Sequence, residues 1–202
     1  MYSKEEIIGL FSLSQNHVLK LEKFLFEIKS YNSITNIVGK STMLNPWNRH
    51  ILDSLQISYF IKNKKSKIID MGTGAGIPGI ILSIVDYKNI SLIDSNIKKI
   101  KFLNHVLPIL KIKPKIYHHR IESLKNKKYD FLISRALSNL DKLFFYSQNF
   151  LKNETVLIFL KGKKFKDEIN EAKKNWSFLC DSEQSLSDND GRILVIRGLK
   201  RK

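Results

Sequence analysis

Between Lys67 and Gly79 the chain reads KIIDMGTGAGIPG, an apolar run that ends in an acid and passes at once into four glycines within eight residues. Such a run is a strand that feeds a tight loop and then a helix. Glycine is required where the backbone turns through conformations that a Cβ disfavours, and where a ligand must approach the main chain closely. A tight turn without a ligand would explain one or two glycines but is a strained account of four. From here on, short apolar runs alternate with helical stretches, at 67–70, 90–93, 115–117, 130–134 and 155–160, which is the sequence form of a parallel sheet with crossover helices. The segments 176–180 and 192–197 flank the turn-like SLSDNDG with no helical pattern between them, so a terminal antiparallel hairpin is expected. Residues 1–60 differ. Val18, Leu21, Leu25 and Ile28 recur at helical spacing behind Ser14 as cap, and a further helix starts at Asn45 with Pro46 in its first turn. A helical extension (1–60) on a Rossmann-like unit (61–202) is the expected organisation.

Two cofactors fit the glycines. Counted from Gly74 they spell GxGxxG, ending at Gly79, with Asp94 at the distance where a dinucleotide enzyme holds a ribose, which is the reading of an NAD-dependent oxidoreductase. Counted from Gly72 they spell GxGxG behind Asp70. The first count leaves Asp70, Gly72 and Thr73 inside what should be an apolar strand, where a charge without a purpose is costly. The second makes Asp70 the acid at the tip of the first strand, available to the amino group of S-adenosylmethionine or to a water beside it. It is favoured. Asp94, at the tip of the second strand in ISLID, is then placed to accept from both ribose hydroxyls, and it can also cap the helix that follows. After the third strand, HHRIESL places Ile121 and Glu122 where an adenine would lie.

The net charge of +16 would attract a polyanion, although only six of the 35 basic residues are Arg and surface Lys is partly neutral filler. Lys98, Lys99 and Lys101, Lys125, Lys127 and Lys128, and Lys161, Lys163, Lys164 and Lys166 are candidates for a basic rim, or for ordinary solvated faces. The single Cys180 cannot form an intrachain disulfide, and no Cys or His spacing offers a zinc site, so no metal is expected. With no long apolar stretch at the start of the chain or elsewhere, a cytoplasmic protein without a membrane partner is expected, and a monomer.

Several segments in order resemble one family: NSITNI (32–37), RHILDSL (49–55), DMGTGAGIPG (70–79), LIDSNIKKIKFL (92–103), RIE (120–122), YDFLISRAL (129–137) and LKG (160–162). The chain is similar to the bacterial guanine-N7 methyltransferases of small-subunit ribosomal RNA, the glucose-inhibited division protein B family. The resemblance implies a class I S-adenosylmethionine-dependent methyltransferase with a mostly parallel seven-stranded sheet, acting on the RNA of the small ribosomal subunit. It carries cofactor contacts to Gly72, Ile77, Ile121, Glu122 and Arg135, beside Gly74 and Asp94 from the loop itself. Ile77 stands where larger residues are common in the family, and Ile121 where small ones occur.

Guanine N7 has a lone pair and attacks a methyl group without first losing a proton, so no catalytic acid or base is expected. Catalysis would come from alignment and exclusion of water. The segment after the fourth strand is SRAL and not the Asn/Asp-Pro-Pro-aromatic segment of amino methylation. Arg135 there faces the cleft, either as a clamp or as an ion-pair partner of a nearby acid. Arg49 with Asp53, and His50 with Ser54, are spaced four apart on a helix. His50 is read equally as a packed histidine or a substrate contact. A non-catalytic ribosome-binding module that keeps the pocket remains the second alternative.

Overall fold

A computed structural model describes every residue of the chain except Lys40. Seven strands, β1 (Lys67–Met71), β2 (Asn89–Asp94), β3 (Lys115–His118), β4 (Phe131–Arg135), β5 (Val156–Lys161), β6 (Trp176–Gln184) and β7 (Arg192–Arg201), form one sheet in the order β3-β2-β1-β4-β5-β7-β6. The first five are parallel, and β7 lies antiparallel between β5 and β6. Asp70 is level with both Leu92 and Ile133, and Arg135 with Leu160, so the carboxyl ends of β1, β2, β4 and β5 open at one edge. The expected strands form to within a residue or two. The hairpin strands run longer than their apolar cores, because the far half of β6 is an exposed edge where hydrophobicity does not mark the strand.

Both faces of the sheet are covered, which is why β1 and β2 are mostly apolar and buried along nearly their whole length. Successive residues point to opposite faces, Ile68 into one apolar layer and Ile69 into the other. The second layer holds Phe144, Phe150, Phe159 and Trp176, with the helices Leu140–Ser147 and Phe165–Asn175 over it. The first layer is closed by the amino-terminal helices. In chain order the helices are α1 (Lys4–Leu10), α2 (Gln15–Asn32), α3 (Asp53–Leu55), α4 (Gly79–Ile84), α5 (Ile97–Leu110), α6 (Leu140–Ser147) and α7 (Phe165–Asn175). Ser14 caps α2, its Oγ accepting from the His17 N–H at 3.2 Å. Leu21, Phe24 and Ile28 of α2, with Ile51 and Leu55, are buried in the same layer as Ile68, Ile80, Leu92 and Phe102, and the Phe24 and Phe102 rings lie 6.4 Å apart. Among the described residues no helix is long and apolar enough to cross a membrane.

The helix expected from Asn45 starts as foreseen, with Asn45 Oδ1 accepting from the Asn48 N–H at 3.3 Å, but its first turns are wide. Through Trp47–Leu52 it is π-helical, the Asp53 N–H reaching back five residues to the Asn48 carbonyl. It tightens through α3 into the single turn Gln56–Tyr59.

Because the amino-terminal helices share a core with the sheet, Phe24→Ala is expected to lower the stability of the whole chain by about 3–5 kcal/mol. Trp47 lies among those helices and Trp176 in the hairpin, so urea unfolding followed in two single-tryptophan variants should give one common midpoint. Separate midpoints would mean that the helices unfold on their own.

Candidate active site

The glycine loop turns on three left-handed residues, with φ of +66° at Gly72, +61° at Gly74 and +87° at Gly76. They differ in what surrounds them. A Cβ on Gly72 would run into the side chain of Leu137, in the turn after β4. A Cβ on Gly74 would meet only Lys99 Nζ at 3.7 Å and the Gly72 carbonyl at 3.9 Å, so the space above Gly74 belongs to the cleft and not to the protein. Asp70 lies beneath the loop with no exposed surface. Its Oδ2 accepts from Thr73 Oγ1 at 2.6 Å and from the Gly79 N–H at 2.9 Å, while Oδ1 is buried and unpaired among the described residues. Asp70 therefore does not reach the cleft as expected from the sequence. It pins the two ends of the loop from below, and desolvation pushes its carboxyl up to about 6.

Asp94 closes β2 as anticipated. Its Oδ2 accepts from the Gly74 N–H at 2.9 Å and its Oδ1 from the Asn96 N–H at 2.8 Å. The helix cap is Asn96, which accepts from the Lys98 N–H at 2.9 Å, so Asp94 fixes the loop and the approach to α5 without being the cap itself. Each carboxylate oxygen keeps a lone pair for a ligand. Gly72, Gly74, Ile77, Asp94, Ile121, Glu122 and Arg135 all line one cleft of about 740 Å³, within the range of small-molecule and cofactor sites. Ile77 and Ile121 are buried in its wall, and Glu122 is exposed at its lip. An open glycine, a carboxylate with free lone pairs and an apolar pair of walls fit a nucleoside-bearing cofactor.

Beyond the tip of β4 the cleft has a second half. Arg135 is the last residue of β4, just before left-handed Ala136, φ +52°, and its guanidinium turns toward the π-helical segment. Nη1 donates to the Arg49 carbonyl at 2.7 Å and to Asp53 Oδ2 at 3.2 Å, and Nη2 donates to His50 Nδ1 at 3.2 Å. Both sequence readings of Arg135 are thus realised together, since it lines the cleft and is ion-paired. Arginine has no acceptor, so His50 Nδ1 must be unprotonated. Burial, with Arg135 and Arg49 beside it, pushes His50 down to about 3.

The spacing of Arg49 and Asp53 does not produce a pair between them. Arg49 reaches Asp188 at 2.7 Å, and Asp53 Oδ1 accepts from Ser187 Oγ at 2.7 Å and from Gln56 Nε2 at 3.1 Å. Ser54 does bond back to the His50 carbonyl, at 2.7 Å. Fully buried Gln56 donates to Ser185 Oγ at 3.0 Å and accepts from the Leu186 N–H at 2.8 Å. The SLSDNDG loop of the hairpin is thereby part of the cleft wall, which its sequence did not announce. Of the candidate rim lysines, Lys98, Lys101, Lys125, Lys127, Lys128, Lys163, Lys164 and Lys166 are exposed, and Lys99 lines the cleft 4.0 Å from Asp94. Lys161 departs from the rim. It turns inward to the Ser138 carbonyl at 2.7 Å and to Glu168 at 2.6 Å.

The sequence profile of one family, GidB: rRNA small subunit methyltransferase G, matches residues 17–199. A Ribosomal RNA small subunit methyltransferase G from Rickettsia prowazekii (strain Madrid E) is 42% identical over 182 residues, 90% of this chain and 94% of that protein. In fold the chain is similar to the ribosomal protein L11 methylase of Lactobacillus delbrueckii subsp. bulgaricus, with a TM-score of 0.59 at 18% identity over 75% of this chain and 77% of that one. A TehB-like SAM-dependent methyltransferase from Corynebacterium glutamicum aligns with a TM-score of 0.55 at 13% identity, over 72% and 86%. The oxidoreductase alternative finds no support here. Its fold carries the strand order 3-2-1-4-5-6, whereas this sheet inserts an antiparallel β7 beside β5.

Two outcomes follow from the loop and from His50. Gly74→Val should abolish cofactor binding in calorimetry while lowering stability less than a core truncation, because the strain is confined to one left-handed residue with room around it. His50 binds a proton below pH 6.5 when unfolded but only near 3 when folded, so its contribution is present above pH 6.5 and is lost as the pH falls through that window. The stability difference between the wild type and His50→Gln should therefore shift by about 2 kcal/mol against the wild type from pH 7 to pH 5, at about 1.4 kcal/mol per pH unit. Parallel pH profiles in chemical denaturation would show that His50 is protonated in the folded state.

Proposed function

This chain belongs to the rRNA small subunit methyltransferase G family, and from that premise we propose that it transfers a methyl group from S-adenosylmethionine to N7 of a guanine in small-subunit ribosomal RNA. The observation that carries the cofactor part is the junction of Gly74 with Asp94, where a glycine open to the cleft is bonded to a carboxylate that has lone pairs to spare. In this reading Asp94 accepts from the ribose hydroxyls. Gly72 and Gly74 let the main chain approach the amino-acid part, Ile77 and Ile121 flank the adenosine, and Glu122 lies at the adenine edge. Arg135, held by three acceptors, is oriented before any ligand arrives. The cofactor supplies a methyl group on a positively charged sulfur, an electrophile that needs no further activation.

The acceptor half fits a nucleophile that arrives with its lone pair exposed. His50 is neutral at any physiological pH, its Nδ1 is committed to Arg135, and Asp53 already accepts from Arg135, Ser187 and Gln56. These groups hold one another in place and are not set up to remove a proton, which suits N7. What they provide is alignment and a dry wall. In the same reading the exposed lysines close in sequence to the lining residues Asn96, Lys99 and Gly162, namely Lys98, Lys101, Lys163 and Lys164, supply phosphate contacts, which position RNA without reading its sequence. We take a monomer acting in the cytoplasm on the small subunit or its RNA as the working form.

Asp94→Ala should weaken cofactor binding by about 1.5–3 kcal/mol in calorimetry, the range for hydrogen bonds to a charged group. Purified protein with labelled S-adenosylmethionine should methylate small subunits from a strain lacking the gene, at a guanine that becomes cleavable by borohydride and aniline, and should add nothing to wild-type subunits. Label on a protein, an exocyclic amine or a ribose would overturn the N7 assignment. Cofactor binding without any transfer would favour the non-catalytic module.

A further inference from the structure

The Lys161–Glu168 pair is left without a role by the cofactor contacts. Lys161 ends β5 and Glu168 stands in the first turn of α7, with side chains 8% and 21% exposed. Both line the cleft on the side of β4, β5 and the hairpin, opposite the residues carried by β1, β2 and the turn after β3. Lys161 is fixed by the Ser138 carbonyl just past the tip of β4, so the pair sits beside the turn that holds Arg135. An ion pair this buried is a weak source of stability, because desolvation offsets most of its attraction and apolar residues of similar volume often do as well. Its place in the wall calls for another explanation.

Resting on the guanine-N7 reading above, we propose that Glu168, oriented by Lys161, is the residue that recognises the acceptor base, accepting from N1–H and the N2 amino group of the guanine. Three carboxylates line this half of the cleft, Asp53, Asp188 and Glu168. Asp53 is filled by Arg135, Ser187 and Gln56, and Asp188 is bound to Arg49 on the more exposed rim and to the Asp190 N–H. Glu168 has one charged partner among the described residues, Lys161 beside its buried Oε2, which makes no hydrogen bond, so Oε1 is the oxygen left to accept from the cleft. The chemistry then selects the base. With Oε2 turned to Lys161, Oε1 can accept from the N1–H and N2 amino edge of guanine, whereas adenine presents a lone pair at N1 and no amine at C2. N7 lies across the purine from that edge. A guanine held by Glu168 therefore turns N7 toward the cofactor half, so selection and alignment come from one contact.

Glu168→Gln keeps the volume and an acceptor for Lys161 but puts amide protons where an acceptor is needed. It should lower kcat/KM on unmethylated small subunits by about tenfold or more, the loss of at least one charge-assisted bond, with the affinity for S-adenosylhomocysteine unchanged in calorimetry. Once the modified guanine is mapped, subunits carrying inosine there, which keeps N1–H but lacks the amine, should be poorer substrates for the wild type and no poorer than guanine for the variant. The double variant Lys161→Met with Glu168→Leu should melt at the wild-type temperature or above and still lose turnover. An unchanged inosine penalty in Glu168→Gln, or turnover retained by the double variant, would overturn the proposal. Loss of cofactor affinity in step with turnover would also overturn it, by making the pair part of the cofactor site. Wild-type protein that binds S-adenosylhomocysteine yet leaves RNA unlabelled would instead refute the function on which the proposal rests.

Discussion

Everything in the cleft depends on a carboxylate that never reaches it. Asp70 is taken wholly out of water at the end of β1, and two short hydrogen bonds, from Thr73 and from the Gly79 N–H, tie the loop's first turn to the start of α4. Because its glycines bring no side chains, the rest of the loop is held by main-chain groups, with the Thr73 N–H donating to the Ile93 carbonyl at 3.0 Å and the Gly76 N–H to the Thr73 carbonyl at 2.9 Å. The bonds to Asp70 stabilise the charged form and burial opposes it, with burial the larger effect. A carboxyl raised from 3.8 to about 6 makes folding less favourable as the pH rises between those values, because the folded chain keeps a proton that the unfolded chain releases. Above pH 6 the fold carries that cost in full. In return the loop has one shape, the Gly74 N–H meets Asp94 at 2.9 Å, and Leu137 packs under Gly72, so β1, β2 and the turn after β4 are locked around one point.

The parts legible in the sequence are those governed by local rules. Strands buried on both faces read as apolar runs, and β1, β2, β4 and β5 are legible for that reason, whereas the edge strand β3, KIYH, has no buried residue. The glycine loop was legible because left-handed backbone and open space leave few alternatives to glycine, and Asp94 because its distance from the loop is fixed by one crossover helix. Local rules also misled. The i,i+4 spacing of Arg49 and Asp53 suggests a pair, and Ser54 does keep such a bond to the His50 carbonyl, but each of the two charged side chains finds a partner from another element, Asp188 and Arg135. Gln56 with Ser185, and Asp53 with Ser187, join residues 129 and 134 positions apart through side-chain hydrogen bonds, for which the sequence has no periodic signal. The signal that was present lay in composition. SLSDNDG is dense in short polar side chains that bond to nearby groups, and in a hairpin loop folded back over a cleft those groups belong to the amino-terminal helices.

The two halves of the cleft are built on different principles, and the difference follows from what each must do. The half proposed to hold the cofactor is made of backbone: positive-φ glycines, an N–H on Asp94 and apolar walls. It is suited to a ligand whose shape does not vary. The acceptor half is a network of side chains in which nearly every strong donor is already spoken for. Such networks specify one arrangement when fully satisfied and are costly when they are not. The tautomer of His50 shows the logic. Arg135 needs an acceptor at Nδ1, so the imidazole must be neutral, and two nearby guanidinium groups keep it so. Were His50 to take a proton, it would repel Arg135, release Asp53 from one of its three donors and loosen the hairpin loop that Asp53 holds through Ser187. A general base at this position would have to pass through that charged state in every turnover. A wall built to stay neutral is therefore incompatible with proton abstraction by His50, and it is compatible with an acceptor nitrogen that brings its own lone pair.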